Sequence, residues 1–484
     1  MAFFYSALIN INPCLYCCLF YVIIAAKAKY TMAAATSFSA RPVVATQTKP
    51  NYTMPLIIIG VLFFLFGFVT WANSTLINYL KIACQLTTSQ AVLVTSAFYI
   101  SYAVMAFPCS WVLGKTGLKN GMVLGLFIMA VGALIFIPAA SSRAFPLFLT
   151  GLFVIGTGLA LLQTASNPYA TILGPIESAA KRISILGICN KVAGALAPLI
   201  LGAIMLNNAD QLQAKLATMD AVSKEAELTL LASKVVMPYV VITIVLIVLG
   251  IGVYFSKLPE IKAEGADEKV VGSSVTNRSS VFKYPYLWLG FITLFLYVGV
   301  EVIAGDIIQV YGNALGIKIN EAKNFTTYTM ITMLAGYIIG IATIPKLLSQ
   351  TTALKISAII GVVFSLAIIF TTGYTSVLFL ALLGLANALV WPAIWPLALD
   401  GLGKYTNFGA ALLIVGIAGG GILPKLWAMT GSYLHTEKAF TEAQAYQSAF
   451  WILVPCYLFI LYFAAKGNKA GKTVAVPKEA LVVS

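Results

Sequence analysis

The stretch PEIKAEGADEKVVGSSVTNRSSVFK, residues Pro259–Lys283, is the most charged part of an otherwise very apolar chain. Its glycines, serines and mixed charges are typical of a flexible linker in water rather than of a buried helix. On each side of this linker the sequence returns to long apolar runs, six before it and six after it. The linker therefore predicts a chain that is divided into two similar halves.

The apolar runs have the length of transmembrane helices, close to the ~20 residues that a helix needs to cross the hydrocarbon core of a bilayer. We number them spans one to twelve; they begin near Pro55, Ala91, Met122, Phe145, Ile183, Pro238, Tyr286, Thr326, Leu354, Val377, Gly409 and Ala449. We predict an all-α membrane protein with twelve transmembrane helices in two six-helix pseudo-repeats. The predicted segments are an N-terminal segment (1–53), a first half (54–257, with a helical outer loop over Asn207–Val236), a cytoplasmic linker (258–283), a second half (284–466) and a cytoplasmic tail (467–484).

Composition and charge agree with the membrane class. Of 484 residues, 60% are hydrophobic and only 10% are charged, whereas a soluble protein has about 25% charged residues. With both termini placed in the cytoplasm, 20 of the 30 Lys and Arg residues fall on the cytoplasmic side, 8 outside and 2 within spans. This asymmetry follows the positive-inside rule. The net charge of +14 is thereby explained by a lipid bilayer, and we predict no nucleic-acid partner.

The cysteines and the lone histidine argue against metal or enzyme chemistry. Cys14, Cys17 and Cys18 lie in an apolar segment, and the single histidine, His435, is far away in the sequence, so a full set of zinc ligands is missing. We predict no metal site, no cofactor and no catalytic residues. Met32 opens a polar segment and is our hypothesis for the physiological start of the chain.

Span four ends in an unusual cluster of polar side chains, LLQTASNPYATILGP, residues Leu161–Pro175. Gln163 and Asn167 are four residues apart and share one helix face. Pro168 cannot donate a hydrogen bond to the Thr164 carbonyl, which predicts a kink. Such amides can simply bind neighbouring helices. Their grouping beside a kink favours a ligand-binding site.

Spans one and ten carry further polar and aromatic side chains. In span ten, Asn387, Trp391 and Trp395 follow one another at four-residue intervals, and two prolines, Pro392 and Pro396, are expected to bend the helix. An amide beside an indole suits a neutral sugar, whose hydroxyls need hydrogen bonds and whose C–H face packs on aromatic rings. The candidate substrate-binding residues are Asn73, Gln163, Asn167, Asn387, Trp391 and Trp395.

A few ionisable residues fall inside the spans. Lys191 is about nine residues from the predicted cytoplasmic end of span five, roughly 14 Å at helical rise, too deep for its side chain to reach water. A buried charge costs several kcal/mol unless it is paired. Lys191 and Glu301 are therefore the best candidates for functional charges, with a purely structural ion pair as the alternative. Asp306, Asp400 and Lys425 lie nearer to span ends, where we expect them to be hydrated.

Several motifs together resemble a known family. They are FFLFGFVTWAN in span one, SAFYISYAVMAFP in span two, LLQTASNPYATILGP in span four and FLYVGVE in span seven. In this order they resemble the fucose–proton symporter family of the major facilitator superfamily, over roughly Met54 to Lys466. The loop GKTGLKNG, residues Gly114–Gly121, resembles the glycine-rich basic loop of that superfamily. The resemblance implies import of a monosaccharide by alternating access across a bacterial inner membrane, with the glucose/galactose-like branch most similar and fucose or N-acetylglucosamine as other family substrates.

Three departures concern coupling to an ion. The family pattern has an acid where this chain has Ser74, a glutamate where it has Gln163, and an arginine where it has Tyr337. Proton coupling is therefore not carried over. The ion-coupling candidates are Ser74, Gln163, Glu301 and Lys191, and oxygen atoms around span four favour sodium slightly over a proton. An uncoupled facilitator and a transporter-like sugar sensor are the alternatives, and the sequence does not predict the oligomeric state.

Overall fold

The structure, a computed structural model, describes residues 53–172, 179–259, 280–344 and 347–472. Met32, the cysteines of the N-terminal segment and most of the predicted linker lie outside these residues. Within the described ranges all regular secondary structure is helical.

The described residues contain eleven helical runs that are long and apolar enough to cross a membrane. One of them, Thr88–Ser142, has 55 residues, which is roughly 80 Å of helix and more than twice the thickness of a hydrocarbon core. This run is broken at Gly117, whose φ of 79° lies in the left-handed region that favours glycine. It therefore holds spans two and three, and the twelve predicted spans are confirmed.

The spans are built from the following helices. They are Thr53–Ala83 (one), Thr88–Ala91 and Leu93–Leu134 with Phe136–Ser142 (two and three), Phe145–Ile172 (four), Ala179–Met205 (five), Val236–Phe255 (six), Pro285–Val302 and Ile308–Ala314 (seven), Ile319–Ala322 and Phe325–Thr343 (eight), Gln350–Phe370 (nine), Gly373–Asn387 and Val390–Leu399 (ten), Thr406–Gly416 and Gly419–Glu437 (eleven), and Glu442–Ser448 and Leu453–Ala465 (twelve). Short 3-10 turns lie at Val281–Lys283, Gly403–Tyr405, Ala449–Ile452 and Gly467–Lys469.

The loop between spans five and six is helical, as predicted, with helices Ala209–Thr218 and Ala221–Ser233. Asp220 caps the second helix, and hydrogen bonds from Ser223 and the neighbouring backbone amide lower the pKa of this carboxyl. The Tyr79 hydroxyl of span one donates to the Leu231 carbonyl at 2.6 Å. We call the end of the bundle that carries this loop the distal end, and the end that carries residues 53 and 472 the proximal end.

Two spans of the second half are interrupted in the middle. In span seven the segment Ile303–Ile307 forms a π-helical turn. In span ten the helix is interrupted at residues 388 and 389, because Pro392, four residues later, has no N–H for the Ala388 carbonyl. The proline pair was expected to bend this helix, and the structure shows an interruption one turn before the first of the two prolines. In span four, the helix continues past Pro168 to Ile172.

Glycines bring spans one, five and seven together around Trp71. A Cβ atom on Gly194 of span five would lie 2.4 Å from the Trp71 ring, and one on Gly305 of span seven would lie 2.0 Å from it. Only glycine leaves room for the indole at these two crossings. Trp71 is consequently buried at the junction between the two halves.

Candidate transport site

A buried ion pair joins the two halves beside Trp71. We call the region formed by Trp71, Lys191 and Glu301 the Trp71 junction. The Lys191 Nζ atom of span five lies 2.8 Å from Glu301 Oε1 of span seven, and the two side chains are 8% and 11% exposed. The Lys191 ammonium also lies 4.7 Å from the centre of the Trp71 ring, a cation–π contact. The structure thus brings together the two charges that the sequence selected, and each neutralises the other in a region where an unpaired charge would be costly.

Aromatic rings extend from this ion pair toward span ten. Tyr297 precedes Glu301 by one helical turn, and its ring centre lies 6.4 Å from that of Trp391. Trp391 in turn lies 5.5 Å from Trp395, ring centre to ring centre. The Trp395 Nε1 atom is buried, and no described residue accepts a hydrogen bond from it. The two predicted tryptophans therefore form one continuous aromatic surface that leads to the ion pair.

Asn387 takes part in the same network through span twelve. Its Oδ1 atom accepts a hydrogen bond of 2.8 Å from the Tyr457 hydroxyl, while its Nδ2 atom is buried and has no partner in the described part of the chain. Tyr457 and Tyr337 both lie within electrostatic reach of Glu301. Asn387 thus offers one free amide donor close to the charged junction.

Asn73 and Ser74 of span one do not join this network. Asn73 lines a cavity of about 10 Å³ inside the first half, together with Phe98 and Tyr239, and this is roughly the space of a single water molecule. The Ser74 hydroxyl donates to the Trp71 carbonyl of its own helix at 2.8 Å. At this level of the bundle, span one therefore turns Trp71, rather than Asn73 or Ser74, toward the other half.

Gln163 and Asn167 of span four are partly exposed. Between them the Thr164 hydroxyl donates to the Ala160 carbonyl one turn back, at 2.7 Å. The two amides therefore lie on a face of span four that remains accessible. The structure does not place either amide in hydrogen-bonding contact with the Lys191–Glu301 pair.

Amide side chains close the distal end of the junction. The Asn78 Nδ2 atom of span one donates to Gln309 Oε1 of span seven at 3.1 Å, and its Oδ1 accepts from Asn313 Nδ2 at 2.9 Å. Gln309 also donates to the Thr326 hydroxyl at 2.9 Å. We call Asn78, Gln309 and Asn313 the amide seal. A second distal contact joins the Lys425 ammonium of span eleven to the Ser89 carbonyl at 2.6 Å.

The three charges expected to be hydrated behave differently. Asp400 is exposed and pairs with Lys472 at 2.7 Å, as expected, and Lys425 is half-buried. For Asp306 the expectation was wrong, because this residue is fully buried in the π-helical turn. Counting residues to a span end did not reveal that the surrounding spans cover this turn.

Several residues of the junction were missed by the sequence analysis. Trp71 and Tyr457 carry no polar pattern of their own, and nothing in the sequence pairs them with Lys191 or Asn387. Tyr297 had a usable signal, since it stands four residues before Glu301 and must share its helix face.

A bundle of twelve spans, with a buried ion pair and unpaired polar groups at the junction of its two halves, defines a membrane transporter rather than an enzyme. Residues 59–424 match the Major Facilitator Superfamily profile, and the chain belongs to this superfamily. The expected family resemblance is thereby confirmed.

The sequences of individual relatives align with most of this chain. The glucose/galactose transporter of Brucella abortus biovar 1 (strain 9-941) is 31% identical over 428 residues, which are 88% of this chain and 97% of that protein. The L-fucose-proton symporter of Escherichia coli (strain K12) is 28% identical over 376 residues, 77% of this chain and 86% of its own. A crystal structure of the transporter FucP in the outward conformation matches with a TM-score of 0.64 at 26% identity, covering 85% of this chain and 98% of FucP.

Proposed function

We propose that this protein imports a hexose-like monosaccharide by alternating access, with glucose or galactose ranked before fucose or N-acetylglucosamine. The ranking is supported by the Brucella relative named for glucose and galactose, which has a higher identity and a longer match than the fucose symporter. Both relatives are named for sugars, so a sugar is the preferred substrate class.

The observation that carries this proposal is the amide and aromatic surface beside the Lys191–Glu301 pair. The free Nδ2 atom of Asn387 can donate to a sugar hydroxyl, and the Trp391 ring offers an apolar wall for the C–H face of a sugar. Gln163 and Asn167 would complete the pocket from span four. Asn73 faces a cavity inside the first half, so it would bind the sugar only after a rearrangement of that half.

The driving ion is proposed to be a proton or sodium. The fucose relative is named a proton symporter, which favours a proton. The neutral Ser74 and Gln163, which stand where the family pattern has acids, favour sodium bound by oxygen atoms, with Glu301 as a charge partner. If Glu301 is the charge partner of sodium, its ion pair with Lys191 would separate during part of the cycle.

The proposed location is a bacterial inner membrane, with both termini in the cytoplasm. The bacterial relatives support the first point, and the asymmetric distribution of Lys and Arg along the sequence supports the second. The segment boundaries 1–53, 54–257, 258–283, 284–466 and 467–484 remain predictions.

Transport in proteoliposomes tests the proposal directly. The purified chain is reconstituted and assayed for counterflow of labelled glucose, galactose, fucose and N-acetylglucosamine, with protein-free liposomes as the control. Accumulation is then measured under separate inward sodium and proton gradients. Counterflow of none of these sugars would contradict the function. Counterflow without gradient-driven accumulation would identify an uncoupled facilitator, and sugar binding without counterflow a sensor.

A further inference from the structure

Asp306 is a carboxylate for which the junction supplies no counter-charge. It is fully buried, and neither Oδ1 nor Oδ2 has a hydrogen-bond partner among the residues that the structure describes. It stands eight residues before the end of span seven at Ala314, roughly 12 Å of helix. Its side chain is therefore too far from the distal surface to be hydrated while the bundle has the conformation described here.

The charged form of such a group is unfavourable, because no hydrogen-bond donor among the described residues contacts either carboxylate oxygen. The Lys191 ammonium of the Trp71 junction is bonded to Glu301. Among the described residues, the titratable groups that interact electrostatically with Asp306 are Glu301 and Tyr99 of span two, neither of which is cationic. Titratable side chains on the other spans around this turn contact other groups. Tyr79 bonds to Leu231, Tyr337 packs on Gly187 and Lys425 bonds to Ser89.

The local structure holds Asp306 in this position. The π-helical turn is fixed by two threonines of span eight, since Thr326 donates to the Gly305 carbonyl at 2.6 Å and Thr329 to the Ala304 carbonyl at 2.8 Å. Single π-helical turns inside membrane-length helices occur often at functional sites. Here the turn places a carboxylate next to an interface between the halves, where a helical surface would normally be apolar.

Asp306 lies just below the amide seal, three residues before Gln309. Span one covers it from the other half, with Trp71 against Gly305 and Asn78 bonded to Gln309. Separation of the halves at the distal end would break the seal and admit water to Asp306. Closure would remove that water again, so protonation of the Asp306 carboxyl is linked to opening and closing of the amide seal.

We propose that Asp306 is the proton-binding residue of the transport cycle. Its carboxylate takes up one proton from water when the distal end is open, and only the resulting neutral carboxylic acid can be buried when the seal closes. Glu301 then remains the partner of Lys191 and carries no transported proton. The proposal rests on the proposed function for its coupling role, and among the ions considered there it selects the proton.

The transport test compares two carboxylates in proteoliposomes. Asp306→Asn is a permanently neutral side chain, so an imposed proton gradient should no longer drive uptake, and the accumulation ratio should fall to about 1 while sugar counterflow continues. Asp306→Glu keeps an ionisable group and should restore part of the accumulation. Asp400→Asn, an exposed carboxylate at the proximal end, serves as the matched control and should accumulate sugar like the unmodified protein. Full proton-driven accumulation by Asp306→Asn, or accumulation driven only by sodium, would overturn the proposal.

A second test needs no sugar, and it separates failure of this inference from failure of the proposed function. Trp71 packs against Gly305, so its fluorescence in purified protein should change with pH as Asp306 gains or loses its proton. The change should disappear in both Asp306→Asn and Trp71→Phe and persist in Asp400→Asn. A pH response that persists in Asp306→Asn, or none in the unmodified protein, would contradict proton binding at Asp306 whatever the transported substrate is.

Discussion

The two halves are joined at the Trp71 junction and at the amide seal, and the two contacts have opposite chemistry. At the junction, the Lys191–Glu301 pair is buried and carries full charges. At the seal, Asn78 exchanges neutral hydrogen bonds with Gln309 and Asn313. Removal of one partner of the ion pair leaves a buried charge and is strongly destabilising. Each hydrogen bond of the seal, by contrast, contributes only about 0.5–1.5 kcal/mol net.

This difference assigns different roles to the two contacts in a cycle of alternating access. Neutral amides exchange protein partners for water at low cost, so the seal is suited to open and close in every cycle. Separation of Lys191 from Glu301 in a dry interior would leave two uncompensated charges. We therefore expect the junction to act as a pivot that stays assembled, or that opens only when water or substrate reaches it.

The largest expected effect comes from breaking the ion pair on one side. Lys191→Met leaves the Glu301 carboxylate buried without a partner, and the folded protein should lose about 3–5 kcal/mol. The measurement is the thermal midpoint of the purified protein in detergent, together with the yield of monodisperse protein on size exclusion.

The matched control for this prediction is the double variant Lys191→Met with Glu301→Gln. It removes both charges, and much of the lost stability should return because no unpaired charge remains. A single variant that melts like the unmodified protein would show that the pair is hydrated, and the contrast between a charged pivot and a neutral seal would fail.

A smaller effect is expected from an amide at the junction. If the free Nδ2 atom of Asn387 donates to the sugar, Asn387→Ala should weaken sugar binding by about 1–3 kcal/mol. Asn73→Ala is the control, since Asn73 faces a cavity inside the first half, and it should leave the affinity nearly unchanged. The measurement is sugar-dependent quenching of tryptophan fluorescence. The reverse ranking of the two variants would place the sugar in the first half.

The architecture was largely predictable from the sequence, because span length depends on the thickness of the bilayer and not on the details of packing. The linker at Pro259 and the apolar runs beside it were sufficient to predict twelve spans. The break in span ten followed from Pro392, since a missing N–H has the same consequence in any helix.

The arrangement of the site was only partly predictable. Spacing along one helix shows which side chains share a face, but it does not show which neighbouring helix that face meets. Asn73 and Ser74 were selected for their polarity, yet Trp71 of the same span packs against the ion pair, because glycines on spans five and seven make room for it. The pairing of Lys191 with Glu301 agrees with the requirement that buried charges be compensated, which does not depend on packing, and their role in ion coupling stays a prediction.

The smallest expected effect concerns the amide seal. Asn78→Ala removes two neutral hydrogen bonds and leaves Gln309 and Asn313 without their partner when the distal end is closed. The closed state should lose about 1–2 kcal/mol relative to the open state, which raises the population of the open state roughly fivefold to thirtyfold.

A thiol placed behind the seal reports this shift. Thr75 is buried and lies between Trp71 and Asn78 at helical spacing, so Thr75→Cys, in a protein whose other cysteines are replaced, should react with a maleimide only when the distal end opens. The reaction should become faster when Asn78→Ala is added. It should not change with Asn207→Ala, an exposed asparagine of the distal loop that serves as the control. If Asn78→Ala leaves the rate unchanged, the amides do not hold the distal end closed, and the Lys425–Ser89 contact becomes the bond to test. If it raises the rate while Lys191→Met with Glu301→Gln does not, the division between a mobile neutral seal and a charged pivot is supported by the same assay.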